Sequence, residues 1–199
     1  MKKIIIIIIT LIISSSLFAQ EENIVTKRNN EFRISFFQFI MSTFRLSYEH
    51  MFNNNSSLVI NGEVRLRQKE YNDILGGGGE LQLRFYAVPK QKSEFDGVYA
   101  GPYILYRYTE IINYSYDYYP YETKKVTTKD FFSNFGGGII IGIKISAAER
   151  VTFDFNLGGG VKYTENSSNN PSNRYDDNIF EPGFTGITPK ANFSFGLKF

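Results

Sequence analysis

Ala191-Asn192-Phe193-Ser194-Phe195-Gly196-Leu197-Lys198-Phe199 alternates apolar residues with small or polar ones without a fault. In an extended strand, successive side chains point to opposite faces. Ala191, Phe193, Phe195, Leu197 and Phe199 therefore share one face, and Asn192, Ser194, Gly196 and Lys198 the other. The preceding segment repeats the pattern, with Val151, Phe153, Phe155, Leu157, Val161 and Tyr163 against Thr152, Asp154, Asn156, Gly158, Gly160 and Lys162. Further upstream, Phe131, Phe135, Ile139, Ile141, Ile143 and Ile145 oppose Asn134, Gly136, Gly138, Gly142, Lys144 and Ser146. This is the period of strands, not of helices.

Working back, Val98, Ala100, Ile104, Tyr106 and Tyr108 oppose Tyr99, Gly101, Tyr103 and Arg107. Leu81, Leu83, Phe85 and Ala87 oppose Glu80, Gln82, Arg84 and Tyr86. Leu58, Ile60, Val64 and Leu66 oppose Asn61, Glu63, Arg65 and Arg67, and Phe44, Leu46, Tyr48 and Phe52 oppose Arg45, Ser47 and Glu49. A first strand near 31–40 is the least regular, because Phe36 and Phe37 are adjacent. Eight strands result, each near the roughly 9–11 residues that a tilted strand needs to cross a bilayer. The expected fold is all-β: an eight-stranded antiparallel up-and-down transmembrane β-barrel.

The connections Asn53 to Ser56, Pro89 to Asp96 and Ser146 to Arg150 are short, and Gln68 to Gly78, Glu110 to Asp130 and Thr164 to Gly186 are long. Short turns on one side and long loops on the other mark outer-membrane barrels. The exception is the first hairpin, whose connection around Met41-Ser42 is brief. The alternative is a single strand over 31–52 and an odd strand count. Eight is the preferred reading, with both termini on the periplasmic side. Pro102 lies inside a strand and is expected to mark a bulge.

The length of 199 residues suits one domain. Aromatic residues make up 17%, and there are 17 glycines and no cysteine. Disulfides and thiolate metal sites are thereby excluded. Lys2 and Lys3, the apolar run Ile4 to Ile13, three serines and Leu17-Phe18-Ala19 read as a secretory signal, with cleavage expected after Ala19. Residues 1–19 are thus the signal, 20–30 a periplasmic lead-in and 31–199 the barrel. Of the 22 basic and 20 acidic residues, the signal holds two basic and no acidic ones, so the mature chain is formally neutral at 20 against 20. The charge gives no argument for nucleic-acid binding.

Periodicity alone does not separate a soluble barrel from a membrane barrel turned inside out. Three features favour inversion. An eight-stranded ring has an interior that a few side chains fill, and this chain has too many Phe and Ile for it. The more polar face mixes glycine with both signs of charge: Arg33, Arg45, Arg65, Arg67, Arg84, Arg107, Lys144, Lys162 and Lys198 with Glu49, Glu63, Glu80 and Asp154. Such groups are expected to form an ionic network in the lumen, since a lone buried charge costs several kcal/mol. Third, Phe199 stands as a terminal aromatic on the last strand, the expected signal for barrel assembly.

The chain resembles small outer-membrane barrels of the OmpA, OmpX and OmpW types, and more closely a barrel family common in Bacteroidota. The likeness rests on Leu46-Ser47-Tyr48-Glu49, Ser57-Leu58, Arg84-Phe85-Tyr86, Gly97-Val98-Tyr99-Ala100-Gly101-Pro102-Tyr103, the glycine-rich strands at 136–138 and 157–160, and the closing Phe-Gly-Leu-Lys-Phe. It covers most of 31–199. These short motifs imply a fold class and do not fix an activity.

No catalytic apparatus, cofactor site or metal site is expected. The glycine runs at 76–79, 136–138 and 158–160 lack the Lys-Ser or Lys-Thr and the helix of a phosphate-cradling loop. They read as relief of crowding in a narrow barrel. His50 is the only histidine, and the resemblance to lipid A deacylases would require a serine two residues on, where Phe52 stands. His50 reads as an interfacial aromatic at the periplasmic rim. Asp176-Asp177 and Glu21-Glu22 read as solvated. Tyr114, Tyr116, Tyr118, Tyr119 and Tyr121 crowd into the Glu110–Asp130 loop. Tyrosine gives contact area at low entropy cost, so these residues are candidates for surface contact. The expected function is a non-enzymatic envelope barrel, a monomer contacting membrane lipid, lipopolysaccharide, the barrel assembly machinery and an extracellular partner through its loops. The alternatives are a narrow channel or conduit for small apolar molecules, a lipid-modifying enzyme, and a secreted soluble barrel.

Overall fold

A computed structural model of the chain describes residues 29–40, 42–53, 55–68, 72–87, 97–118, 123–147, 150–168 and 178–199. The expected signal over 1–19 and most of the expected lead-in over 20–30 lie outside the described residues. Eight antiparallel strands form one closed ring in sequence order: β1 (Asn30–Ser35), β2 (Thr43–Asn53), β3 (Ser56–Gln68), β4 (Asn72–Tyr86), β5 (Gly97–Tyr118), β6 (Thr123–Ser146), β7 (Val151–Ser168) and β8 (Gly186–Lys198). The ring closes where β8 pairs with β1, from Glu31↔Lys198 to Ser35↔Ser194. That seam has five paired positions, against 22 between β5 and β6. Closure gives every strand two partners and leaves no open edge.

The expected all-β, eight-stranded up-and-down architecture is observed, with four local differences. The first strand ends at Ser35, and a helical turn, α1 (Phe37–Ile40), follows it. The turn is held by Phe39 N–H donating to Phe36 C=O and Ser42 N–H to Phe39 C=O, both at 3.0 Å. Ser42 then takes a left-handed φ of 57°, which reverses the chain into β2. The adjacent phenylalanines that obscured the pattern mark the point where extension stops. Second, the Gly76–Gly79 run is not in a connection: β4 begins at Asn72, and each of these glycines is paired on both sides. Third, the Glu110–Asp130 segment is mostly hairpin, with Tyr114, Tyr116 and Tyr118 in β5 and Tyr119 and Tyr121 outside the described residues. Likewise β7 carries Thr164 to Ser168 as strand.

Fourth, Pro102 makes no bulge. It stays in register with Ile139 of β6, and the register toward β4 is the same on either side of it. The β4–β5 ladder simply lacks its rungs at Gly101 and Pro102, because proline has no N–H to donate. The strands still lie close there. A Cβ on Gly101 would collide with the Leu83 carbonyl, so only glycine fits.

The outward face carries Phe44, Leu46, Ile60, Leu81, Phe85, Ile104, Ile141, Leu157 and Phe193, all substantially exposed. The inward face buries Arg33, Arg45, Glu49, Arg84, Lys144 and Asp154. The barrel is therefore inverted relative to a soluble one. On β6 the outward positions from Phe135 to Ile145 are all apolar or glycine. That stretch rises about 33 Å along the strand, or about 25 Å along the axis at a tilt of ~40°. Tyr106, Tyr108, Phe135 and Tyr163 crowd one margin of this belt, and Phe32, Tyr48, Phe85 and Phe199 the other.

Glycine parity follows from the same geometry. Gly138 and Gly158 point inward, where a Cβ would meet the Gly159 and Ile139 carbonyls. Gly62 points outward, and nothing lies within 4 Å of a Cβ there. Gly138→Val should therefore lower the unfolding free energy by about 1–3 kcal/mol through overpacking, and Gly62→Val should change it little. Urea titration of the refolded barrel, followed by circular dichroism, measures both.

Candidate functional site

The lumen contains two tiers of ionised side chains. Strand alternation places them: each inward residue lies two positions from the next, so strands running through a narrow ring bring distant residues to one level. The tier toward the termini joins Glu31 and Arg33 of β1, Glu49 of β2, Arg84 of β4, Lys144 of β6 and Asp154 of β7. All six are at most 2% exposed. Arg84 Nη1 donates to Asp154 Oδ2 at 2.6 Å and lies 3.4 Å from Glu49 Oε2. Arg33 Nη1 contacts Glu49 and lies 3.5 Å from both Glu31 and Asp154. Lys144 Nζ bridges Glu49 and Glu31, the latter at 3.1 Å. Three cations meet three carboxylates, so the tier is neutral.

Neutral donors complete it. The Tyr86 hydroxyl donates to Glu49 Oε1 at 2.7 Å, the Tyr99 hydroxyl to Asp154 Oδ1 at 2.6 Å, and the Thr152 hydroxyl to Glu31 Oε1 at 2.7 Å. The Arg84 guanidinium also lies over the Tyr99 ring, 4.2 Å from its centroid. Charged groups kept from water need such additional hydrogen bonds for ion pairing to offset desolvation.

The second tier lies further from the termini. Arg45 Nε donates to Glu63 Oε2 at 3.0 Å, and Arg107 Nε donates to Glu63 Oε1. Lys190 pairs with Glu80 and sits 3.9 Å from the Tyr103 ring centroid. Gln82 joins the tiers, giving its amide N–H to Glu80 and accepting from Arg84 Nε at 2.9 Å. Arg65 Nε donates to the Thr43 hydroxyl at 3.2 Å. Arg67 is partly exposed near that end. Lys162 donates to the backbone carbonyl of Glu181 at 2.8 Å. At the other end, Lys198 donates to the Ser146 hydroxyl at 2.6 Å.

Two members of these tiers are absent from the set read in the sequence. Glu31 was hidden by the irregular first strand, and Lys190 by taking the last strand to begin at Ala191. Pro189 faces outward in β8, so the inward parity of Lys190 was available one residue beyond it. Among the tyrosines, Tyr114 is held by its hydroxyl to Asp73 Oδ2 at 2.7 Å. His50 lies on the outward face, its Nδ1 2.8 Å from Asn30 Oδ1 and its ring edge-on to Phe52. The Phe199 ring stacks on Phe32 at 5.1 Å, and its N–H donates to the Asn30 carbonyl at 2.9 Å. No group of three His, Cys, Asp or Glu among the described residues is arranged to hold a metal ion.

The end opposite the termini is partly covered. Residues 178–185 turn over it, with Glu181 N–H donating to Asn178 C=O at 2.9 Å. The inward Thr164 hydroxyl reaches the Phe184 carbonyl at 2.8 Å, and Lys162 stands 5.7 Å from the Phe184 ring centroid.

No family model matches the chain. No curated protein matches it in sequence either. Among solved structures, the N-terminal β-barrel domain of Pseudomonas aeruginosa OprF is similar at a TM-score of 0.36 and 11% identity, covering 86% of this chain and 98% of that one.

Glu49 contacts all three cations of the neutral tier. Glu49→Gln should leave Arg33, Arg84 and Lys144 in excess and destabilise the barrel by about 3–5 kcal/mol. Adding Lys144→Met restores the charge balance and should return part of that loss. A double-mutant cycle of unfolding free energies reads the coupling.

Proposed function

We propose that this protein is a non-enzymatic β-barrel of the Gram-negative outer membrane, with its lumen closed to solute flow by paired charges. The observation that carries the reading is the combination of an apolar outer belt with a buried, charge-balanced lumen. A belt about 25 Å tall flanked by aromatic residues matches the hydrocarbon region and its two interfaces. A ring without edges pairs the backbone groups within lipid, apart from the rungs missing at Gly101 and Pro102. The three-against-three tier across the lumen leaves ions no unpaired path through it.

The same reading takes residues 1–19 as an export signal and the chain as a barrel of the Bacteroidota type. In it, the termini face the periplasm and the longer strands project outward. Beyond Asn113, where β4 stops pairing, and Asp130, where β7 stops, β5 and β6 pair, among the described residues, with each other alone. This two-stranded ribbon, which carries Tyr114 in β5, would meet an extracellular partner or neighbouring lipopolysaccharide. The barrel works as a monomer, with assembly machinery reading its last strand at Phe199.

In planar bilayers the reconstituted protein should show no steady ionic current above the bare-membrane level; sustained unitary conductance would overturn the sealed lumen. The facing of the belt has its own test. Leu157→Arg should impair insertion into lipid vesicles by about 2–4 kcal/mol, seen as loss of the heat-resistant folded band on gels. Normal insertion of that variant, or recovery of the mature wild type as a monodisperse species without detergent, would reject a membrane location.

A further inference from the structure

Beyond the apolar belt, on the side away from the termini, three strands leave a trough in the outer wall. Tyr108 of β5, Ser133 of β6 and Glu165 of β7 lie side by side in register. Phe131 and Ser167 are the next outward pair beyond them. Ser133 is the short outward residue of its strand, two positions from Phe131 and two from Phe135. These five lining residues enclose a groove of about 320 Å³, at the lower end of the range for small-ligand sites. The row on the belt side of the groove is Tyr106, Phe135 and Tyr163, the aromatic margin of the belt.

The lining combines apolar faces with hydrogen-bonding groups. The Tyr108 and Phe131 rings lie 22° from parallel, with centroids 6.3 Å apart. The Ser133 and Ser167 hydroxyls and the Glu165 carboxylate stand beside them. Glu165 is exposed, and among the described residues it has no ion pair and no side-chain hydrogen bond. Glu110, the carboxylate beside Phe131, is already paired with Lys129 at 2.9 Å. A pyranose ring has the matching character. Its C–H face packs on an aromatic ring, and the hydroxyls around its rim donate to a carboxylate and exchange hydrogen bonds with serines. An ammonium ion would use the carboxylate and a ring face, leaving both serine hydroxyls unused.

Height along the barrel decides where such a sugar comes from. Ser133 lies two residues past Phe135, about 7 Å along the strand and about 5 Å along the axis at a tilt of ~40°. The headgroup layer on each side of a bilayer is about 5–8 Å deep. We infer that the trough binds the sugar of a glycolipid whose acyl chains lie along the belt. Glu165 and the two serines take its hydroxyls, and the Tyr108 and Phe131 rings take its apolar face. The inference rests on the barrel reading above.

The test uses the refolded mature chain, labelled with nitrogen-15, in amine-oxide micelles. Dodecyl maltoside, a sugar on an alkyl chain, is titrated in and followed by amide chemical shifts. Saturable shifts confined to the neighbourhood of residues 131–133 and 163–167 are expected. Glu165→Ala should weaken the response roughly tenfold, and Ser133→Phe, which fills the trough, should abolish it. Leu66→Ala, at an exposed outward position of β3, should leave it unchanged. The heat-modifiable band on gels shows that each variant has folded; should Ser133→Phe fail to fold, Glu165→Ala is the deciding variant. Shifts spread evenly over the belt, an unchanged response in the trough variants, equal binding of free maltose, or tighter binding of dodecyltrimethylammonium at the same residues would overturn the site. A wild-type chain that never gives a heat-modifiable folded form in detergent would instead reject the barrel reading itself.

Discussion

Each strand of this protein has hydrogen-bonding groups on both sides, and each needs a partner on both sides. In an apolar surrounding, water does not supply one, and an unpaired backbone group costs several kcal/mol. Closing eight strands into a ring meets the requirement, with no helix beyond a single turn among the described residues. Most of the other features follow from this closure. It fixes which face of each strand looks outward, forces glycine where strands pinch together at Gly101, and confines the inward side chains to a narrow space.

Confinement then decides the chemistry of the interior. A ring of this size has no room for the bulk of its Phe and Ile, so those lie outside and smaller or ionised groups lie within. Ionised groups withdrawn from water must be paired, and the pairing in turn selects the hydroxyl donors around it. Glu31 and Glu49 stand directly opposite each other on β1 and β2, an unfavourable juxtaposition by itself. Lys144, reaching across from β6, binds both. The tier near the termini is thus a three-dimensional structure that no single hairpin could assemble.

Much of this was legible in the sequence, because alternation reports facing directly. Strand number, the inward parity of Arg33, Arg45, Glu49, Arg84, Lys144 and Asp154, and the outward parity of Ile141 and Leu157 all follow from counting by two. Where the reading failed, a local event broke the count. Phe36-Phe37 disguised the end of β1 and with it Glu31. Pro102 suggested a bulge, but the strand kept its register and gave up only hydrogen bonds. The Gln68–Gly78 connection was drawn too long, since β4 begins at Asn72, although its glycines were read as relief of crowding in a narrow ring. Long-range pairs such as Arg84 with Asp154, 70 residues apart, had no local signal at all. Ile111, Phe132 and Ile140, apolar yet fully enclosed, share the inward parity of Arg107, Asn134 and Gly138, so only their composition ran against the count.

The ring is unevenly laced. Five rungs join β8 to β1, while 22 join β5 to β6. The β1–β2 ladder also has five, so the two seams that flank β1 are the shortest, and a circle of unequal seams parts there first. The Phe199–Phe32 stack lies across the β8–β1 seam, where an aromatic clasp supplements the few hydrogen bonds. Amide protons along β1 and the facing edge of β8 thus sit at the hinge of any breathing motion, whereas the β5–β6 ladder behaves as the rigid spine from which the rest of the wall is hung.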